Sequence, residues 1–129
     1  MTSTDFVLDT SAIIEALHES ERGKRIEKIL GTNRCFVTPL TIAEAASVTV
    51  RGGEDPELVL RAILDRCVVV ETRAVQGYDT GLFHAVGRRT IAKLSYGDAA
   101  VIAAADLVKG TIITCDNDFR HFKNAIVVE

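Results

Sequence analysis

The chain of 129 residues lacks the patterns of a zinc-binding or membrane-spanning protein, and it contains no tryptophan and only three cysteines. Cys35, Cys67 and Cys115 form no CxxC pair, and the histidines do not stand at zinc-ligand spacing from them. An odd number of cysteines in or beside apolar runs predicts reduced, buried thiols in a cytoplasmic protein. The longest apolar runs fall far short of the ~20 residues that a transmembrane helix needs.

Several catalytic and targeting signatures are absent as well. The sequence has no Ser-His-Asp or Cys-His arrangement for acyl transfer and no GxxxxGK[ST] loop for a nucleoside triphosphate. The first five residues include no basic region, which predicts the absence of a signal peptide. No repeat, low-complexity tract or linker interrupts the chain, so we expect a single domain over residues 1–129. Because the net charge is −3, a nucleic-acid partner requires local clusters of basic residues.

Strand-like and helix-like segments alternate along the chain. Short apolar runs predict strands at residues 6–8, 34–37, 67–70, 111–115 and 125–128. Helices are predicted at residues 11–19, 22–30, 40–51, 54–66, 74–93 (loosened at its glycines) and 98–109. The last helix is apolar on almost every side, which is typical of a buried helix. Together these segments predict an α/β protein, a three-layer α/β/α sandwich with a mostly parallel central sheet.

Four acidic residues stand where predicted strands end or predicted helices begin. They are Asp9, Glu44, Asp98 and Asp116. Helix capping explains each of them singly, because residues 41–44 match the capping box and residues 95–98 are a close variant of it. Their joint placement favours a second role, since in a parallel sheet all four positions lie along one edge.

Carboxylates that converge at one edge of a sheet repel one another unless a cation neutralises them. Oxygen ligands without histidine or cysteine suit Mg²⁺ or Mn²⁺ and do not suit zinc. Such an ion lowers the pKa of a bound water to make a nucleophile, and a second ion about 4 Å away stabilises the departing oxygen. The acidic residues therefore predict metal-assisted phosphoryl chemistry.

The same residues carry a resemblance to a known family. In chain order they are Asp9-Thr10-Ser11 after the first strand, Thr41-Ile42-Ala43-Glu44, Leu94-Ser95-Tyr96-Gly97-Asp98-Ala99 and Thr114-Cys115-Asp116-Asn117-Asp118-Phe119. This succession resembles the PIN-domain nucleases, and most of all the small VapC-type toxins of prokaryotic toxin–antitoxin pairs. The resemblance extends from Asp5 to Val128, nearly the whole chain.

The resemblance implies a set of site residues and partners. It implies that the catalytic acids Asp9, Glu44, Asp98 and Asp116 hold Mg²⁺, beside the hydroxyls of Thr10 or Ser11 and of Thr114. It leaves open which acid of the last motif binds the ion. We rank Asp116 first, because it directly follows a strand, and Asp118 as a second-metal or outer-sphere residue. The resemblance further implies an endoribonuclease, a homodimer and a co-encoded VapB-type antitoxin.

Basic residues flank two of the acidic motifs. Arg88, Arg89 and Lys93 precede Asp98, and Arg120, His121 and Lys123 follow Asp118. These groups either bind RNA phosphates around the metal site or are solvated surface. Tyr96 is a candidate for stacking on a base, although we expect its ring to pack at the start of the helix.

Three alternative interpretations accompany the nuclease. A receiver domain also places acids at strand ends, but it needs an acidic pair near the first strand and a lysine after the last catalytic strand. Here Asp5 begins the first strand, and Lys109 precedes the fourth. A haloacid-dehalogenase-like phosphatase needs an aspartate where Ser11 stands. A protein-binding module would use the acids only as helix caps.

The predicted helices of the first half of the chain are richer in apolar residues than a lone sandwich requires. The residues concerned include Leu17, Ile42, Val48, Val50 and Leu58. Exposed apolar patches usually mark interfaces, so we expect a partner to cover this region.

Overall fold

The computed structural model describes residues 4–71 and 73–129. Within them the strands are β1 (Phe6–Leu8), β2 (Cys35–Val37), β3 (Val68–Val69), β4 (Thr111–Thr114) and β5 (Ala125–Val127). The helices are α1 (Thr10–Leu17), α2 (Glu21–Leu30), α3 (Pro39–Arg51), α4 (Pro56–Arg66), α5 (Ala74–Gly87) and α6 (Tyr96–Val108), and a 3₁₀-helix covers Asn117–His121. The prediction about a signal peptide rests mostly on residues 1–3, which lie outside the described residues.

The strands form one sheet with the order β3-β2-β1-β4-β5, and every neighbouring pair is parallel. Val7 on β1 is opposite Phe36 on β2 and Ile112 on β4. The chain therefore starts in the centre of the sheet, extends to one edge through β3 and then returns to fill the other side. A receiver domain has the order 2-1-3-4-5, so this topology contradicts that alternative.

Helices cover both faces of the sheet because successive side chains of a strand point to opposite sides. Leu8 and Ile113 pack with Ile13, Ile26 and Ile63 from the first four helices. The neighbouring strand residues, Val7 and Ile112, face the other way and pack with Leu94, Val101 and Phe119. The three-layer α/β/α sandwich and the parallel sheet are thus confirmed.

Helix α5 differs from its prediction in both continuity and length. We expected a helix over residues 74–93, loosened at its glycines, but α5 runs without a break from Ala74 and ends at Gly87. Gly77 and Gly81 face open space, and packing against α6 holds the helix together. At Gly87 an added Cβ would lie 2.5 Å from the side chain of Leu94, because the chain turns back there. Close contact with the following segment, which a helical pattern does not encode, ends the helix.

The cysteines are free thiols, and two of the three are buried as predicted. Cys35 at the start of β2 and Cys67 just before β3 face each other with their sulfur atoms 2.8 Å apart. Cys115 is only half-buried, which corrects the prediction for that residue. Among the described residues, no helix is both long and apolar enough to cross a bilayer.

Candidate active site

Asp9 lies at the centre of the carboxyl edge, where β1 meets the first turn of α1. It is the N-cap of α1, and its Oδ1 atom accepts a hydrogen bond of 2.9 Å from the backbone N–H of Ala12. A cap of this kind is usually exposed, yet Asp9 is only 4% exposed. The adjacent β4 covers it, because β1 and β4 are neighbours at the point where the direction of strand order reverses.

Two hydroxyl groups fix the orientation of the Asp9 carboxylate. Ser11 donates a hydrogen bond of 2.7 Å to Oδ1, and Thr114 donates a short one to Oδ2. Each hydroxyl also accepts a backbone N–H from the end of β4, Ser11 from Cys115 and Thr114 from Asp116, both at 2.9 Å. Because an ionised carboxylate can only accept hydrogen bonds, each hydroxyl donates its single proton to Asp9. Ser11 and Thr114 were predicted as supporting residues, and both of them contact the Asp9 carboxylate directly.

Glu44 reaches the same edge from α3. Its Oε1 atom accepts a hydrogen bond of 2.8 Å from the Thr10 hydroxyl, which assigns a partner to the other predicted hydroxyl. The carboxyl group lies directly against Gly97 in the first turn of α6, where an added Cβ would overlap Oε1 and come within 2.8 Å of Cδ. Sequence reasoning missed the role of Gly97. The available signal was a glycine inside the first turn of a helix, where its conformational freedom costs stability.

Asp98 belongs to a capping box at the start of α6, as its sequence variant predicts. Its backbone N–H donates to the Ser95 hydroxyl at 3.0 Å, and its Oδ2 atom accepts the Ser95 N–H at 3.2 Å. Asp98 is half-buried, and burial is the main reason why its pKa lies above the ordinary value. The two bonds with Ser95 act against this rise in pKa, while the negative charges of Asp116 and Asp118 add to it. Asp98 therefore takes part in capping α6, but capping does not explain why it is half-buried near other acidic residues.

Asp116 and Asp118 occupy different environments. Asp116 follows β4 directly, is half-buried, and caps the 3₁₀-helix by accepting the Asp118 N–H at 2.9 Å. Asp118 is exposed in the first turn of that helix, which the fully buried Phe119 anchors in the core. This difference in position favours Asp116 as the residue nearer to Asp9, as ranked from the sequence.

The acids of this edge act on one another electrostatically. Burial is the largest cause of the raised pKa of Asp9. Hydrogen bonds from Thr114, Ala12 and Ser11 oppose that rise, and the charge of Asp98 adds to it. The charge of Asp98 raises the pKa of the buried Asp9 further, and the charges of Asp116 and Asp118 act in the same way on the half-buried Asp98, so each of these acids has another negative charge near it. A cation bound between them would relieve this repulsion.

The donor chemistry of the edge fits Mg²⁺ or Mn²⁺, because every acidic group offers hard oxygen ligands. In the part of the chain that the structure describes, no group of three or more acidic, histidine or cysteine side chains is arranged to hold a metal ion. Mg²⁺ does not need such a group, since it usually keeps several waters and binds through one or two carboxylates. Asp9, Glu44, Asp98, Asp116 and Asp118 remain the candidate ligands.

The predicted RNA-binding residues are at the surface but are not equivalent. Arg88, Arg89 and Lys93 are exposed in the segment that joins α5 to α6. Arg120 donates to the side chains of Asn117 and Glu129, so its charge is already partly compensated. Lys123 is exposed after the 3₁₀-helix. The segment between α5 and α6 is therefore the stronger candidate for contact with phosphates.

Comparison with known proteins agrees with this fold and topology. The family model of the PIN domain matches residues 6–125. The chain therefore belongs to the PIN domain family. No curated protein matches the sequence.

Solved toxin–antitoxin structures share the fold at low sequence identity. VapBC2 from Rickettsia felis, bound to a DNA fragment from its promoter, superposes with a TM-score of 0.74 at 15% identity, covering 95% of this chain and 96% of that one. VapC20 from Mycobacterium tuberculosis, described as a sarcin-ricin loop cleaving toxin, gives 0.72 at 16% identity over 96% and 99%. A toxin–antitoxin complex from Klebsiella pneumoniae gives 0.71 at 18% identity over 94% and 95%.

Proposed function

We propose that this protein is a Mg²⁺- or Mn²⁺-dependent endoribonuclease that acts in the cytoplasm as the toxin of a VapB-type toxin–antitoxin pair. The observation that supports this proposal most directly is the buried carboxylate of Asp9, to whose two oxygens Ser11 and Thr114 donate hydrogen bonds. Burial raises the pKa of this carboxyl group, and the charge of Asp98 adds to the rise. A plain helix cap needs neither burial nor a neighbouring carboxylate. Membership of the PIN domain family and the likeness to solved VapC structures support the same conclusion.

Each acidic residue has a defined part in this proposal. Asp9, which two hydroxyls orient, is the proposed central ligand, and Asp98 and Asp116, from α6 and the end of β4, would bind the ion directly or through its waters. Glu44, which Thr10 orients, would accept a proton from an attacking water or hold a metal-bound water. Asp118 acts from the rim. A bound Mg²⁺ would activate water and neutralise charge on the scissile phosphate.

Single-stranded or looped RNA is the proposed substrate, whether tRNA, rRNA or mRNA. The acidic edge alone would repel it, so positive charge must hold the phosphates on either side of the metal site. Arg88, Arg89 and Lys93 would supply this charge next to α6, and Arg120 in the 3₁₀-helix and Lys123 just after it would add to it. Neutralising Lys93 should therefore weaken RNA binding and reduce its dependence on salt, with little effect on the chemical step.

The experiment that tests the activity is RNA cleavage with Mg²⁺, with EDTA, and with two matched variants. Asp9→Asn keeps a capping side chain but removes a carboxylate from the acidic edge. Asp55→Asn makes the same change at the exposed N-cap of α4, on another helix. We expect Asp9→Asn to be inactive and Asp55→Asn to cleave like the wild type. Cleavage that survives both EDTA and Asp9→Asn would come from a contaminating ribonuclease and would refute the proposal.

The partner surface is proposed on α3 and α4. Their large apolar side chains include several that are well exposed: Leu40, Val48, Val50, Leu58, Leu60 and Leu64. Because α3 packs against α4, these exposed apolar side chains lie on two neighbouring helices, and such a concentration is typical of an interface. We propose that it serves the homodimer and the antitoxin. The chain has a mass of 14.0 kDa, and light scattering of the isolated protein should give twice this value. A monomer at micromolar concentration would refute the dimer.

A further inference from the structure

The side chain of Tyr96 forms an aromatic stack at the surface beside the acidic edge. It is the first residue of α6, and its ring lies over the imidazole of His84 with centroids 4.0 Å apart and planes inclined by 15°. His84, in the last turn of α5, forms a hydrogen bond of 3.1 Å through Nε2 with the Leu94 carbonyl oxygen. We expected the tyrosine ring to be packed, but Tyr96 is 62% exposed. The imidazole thus supports one side of a ring that is otherwise open to solvent.

The surroundings of this stack are basic on one side and acidic on the other. The connection from α5 to α6, residues 88–95, contains Arg88, Arg89 and Lys93 and no acidic residue. Two of its apolar side chains, Ile91 and Leu94, are buried and anchor it to the core. Asp98 follows Tyr96 by two positions in the same first turn of α6, and the charges of Asp116 and Asp118 act on it. Tyr96 therefore lies between the basic connection and the acidic edge along the chain, where an RNA strand that contacts both would come near its ring.

We infer that Tyr96, supported by His84, is a stacking subsite for one unpaired nucleobase of the RNA; this inference rests on the proposed function. A base on the exposed side of the Tyr96 ring would extend the existing stack of two flat rings. Stacking on an exposed aromatic ring accepts any base and favours none through hydrogen bonds. The neighbouring cations bind the phosphates of the same strand. The subsite would hold a base close to the scissile phosphate while the acidic edge acts on the phosphate itself.

The test uses cleavage kinetics of the full chain on single-stranded oligoribonucleotides in Mg²⁺. Tyr96→Ala should raise KM about 5- to 100-fold, the range expected for the loss of one base–aromatic stack, and should leave kcat within about twofold. Tyr96→Phe keeps the ring and should restore KM. Tyr78→Ala removes the other tyrosine, which is exposed on α5, and is the matched control with wild-type kinetics expected.

A series of oligonucleotides, each with one abasic nucleotide, separates stacking from a general surface effect. In the wild type one abasic position should raise KM as much as Tyr96→Ala does. In Tyr96→Ala the same abasic position should have almost no further effect, because the two changes remove one contact. If Tyr96→Ala does not fold, Tyr96→Leu replaces it in the same comparison of intact and abasic oligonucleotides.

The outcomes separate this inference from the proposed function. If the wild type cleaves RNA but Tyr96→Ala has the same kinetics, the subsite is refuted and the proposed function is not. The same holds if the effects of Tyr96→Ala and of the abasic nucleotide on KM add in full. Wild-type protein that cleaves no RNA in Mg²⁺ would refute both. An unchanged RNA KM together with lost binding of a protein partner would show that the stack belongs to a protein interface, and that result would also overturn the subsite.

Discussion

Replacement of Gly97 by alanine should separate the stability of this protein from its activity. The added methyl group would overlap Glu44 Oε1 and approach Cδ to 2.8 Å, whereas carbon atoms in contact are usually about 3.5–4 Å apart. The carboxyl group must therefore move by about 1 Å. It can do so, because it is the end of a flexible side chain. The movement weakens the hydrogen bond from Thr10, which is worth about 1.5–3 kcal/mol when one partner is charged.

Alanine is more favourable than glycine in a helix by about 0.5–1 kcal/mol, which offsets part of the loss from the weakened hydrogen bond between Thr10 and Glu44. We therefore expect the free energy of unfolding of Gly97→Ala to fall by less than about 2 kcal/mol. Its activity should fall much further, by about 100-fold, which is the effect expected when a catalytic group is displaced by 1 Å. Urea denaturation measures the first quantity, and kcat/KM for RNA cleavage in Mg²⁺ measures the second.

The chain contains a matched control for this substitution. Gly77 lies inside α5 with nothing near an added Cβ, so Gly77→Ala should gain about 0.5–1 kcal/mol and keep full activity. Glu44→Asp in the Gly97→Ala background shortens the side chain and should recover part of the lost activity. If Gly97→Ala cleaves RNA at the wild-type rate, or if Gly77→Ala loses as much activity, then the contact between Gly97 and Glu44 does not set the geometry of the site.

The remaining predictions concern the acids and their support. Asp98→Asn should raise the metal-free melting temperature, because its side-chain oxygen can still accept the Ser95 N–H while repulsion from the neighbouring acids is removed, and cleavage should be lost. Unchanged cleavage would refute the role of Asp98 as a ligand or electrostatic partner. The pKa of Asp9 is raised above 3.8 in the folded protein, so the folded state binds this proton more readily than the unfolded state does. Without metal, the melting temperature of the wild type minus that of Asp9→Asn should therefore increase as the pH falls from 7 toward 4. A difference that is constant with pH would contradict that assignment. In a Mg²⁺ titration of cleavage rates, Asp116→Asn should be inactive throughout, and Asp118→Asn should lose about 10- to 100-fold; the reverse result would exchange their roles. Phe119→Ala should lower the free energy of unfolding by about 3–5 kcal/mol in urea, because its ring is fully buried.

Most of the architecture was predictable because its signals are local. The apolar runs of β1, β2 and β4 and the caps of α1 and α6 place these elements within two residues of their observed ends. Helix α3 also begins within one residue of its prediction, but its N-cap is Thr38, so the capping box expected at residues 41–44 is wrong. The length of α5 was not predictable in this way. Its glycines are tolerated because the helix packs on α6, and it ends where Leu94 folds back on Gly87. Both causes are contacts between segments, and a periodic pattern contains no information about them.

In the candidate site, too, local features could be predicted and contacts between distant segments could not. The types and order of the acids were visible in the sequence, and the parallel sheet brings them to one edge. The partners of each acid were not visible, since Thr10 with Glu44 and Thr114 with Asp9 are bonds between distant segments. The stack of His84 on Tyr96 likewise depends on the packing of α5 against α6. Spacing predicts which groups are present, and tertiary contacts decide what each of them faces.

The position of β1 in the centre of the sheet has a consequence for synthesis of the protein. Thr114, which donates to the Asp9 carboxylate, is synthesised 105 positions after Asp9. Until β4 has emerged from the ribosome, β1 lacks one of its two neighbours and Asp9 lacks its cover. The acidic edge of the nascent chain is therefore incomplete until the segment up to β4 and the 3₁₀-helix has been made. Any activity that depends on this edge can begin only after that point.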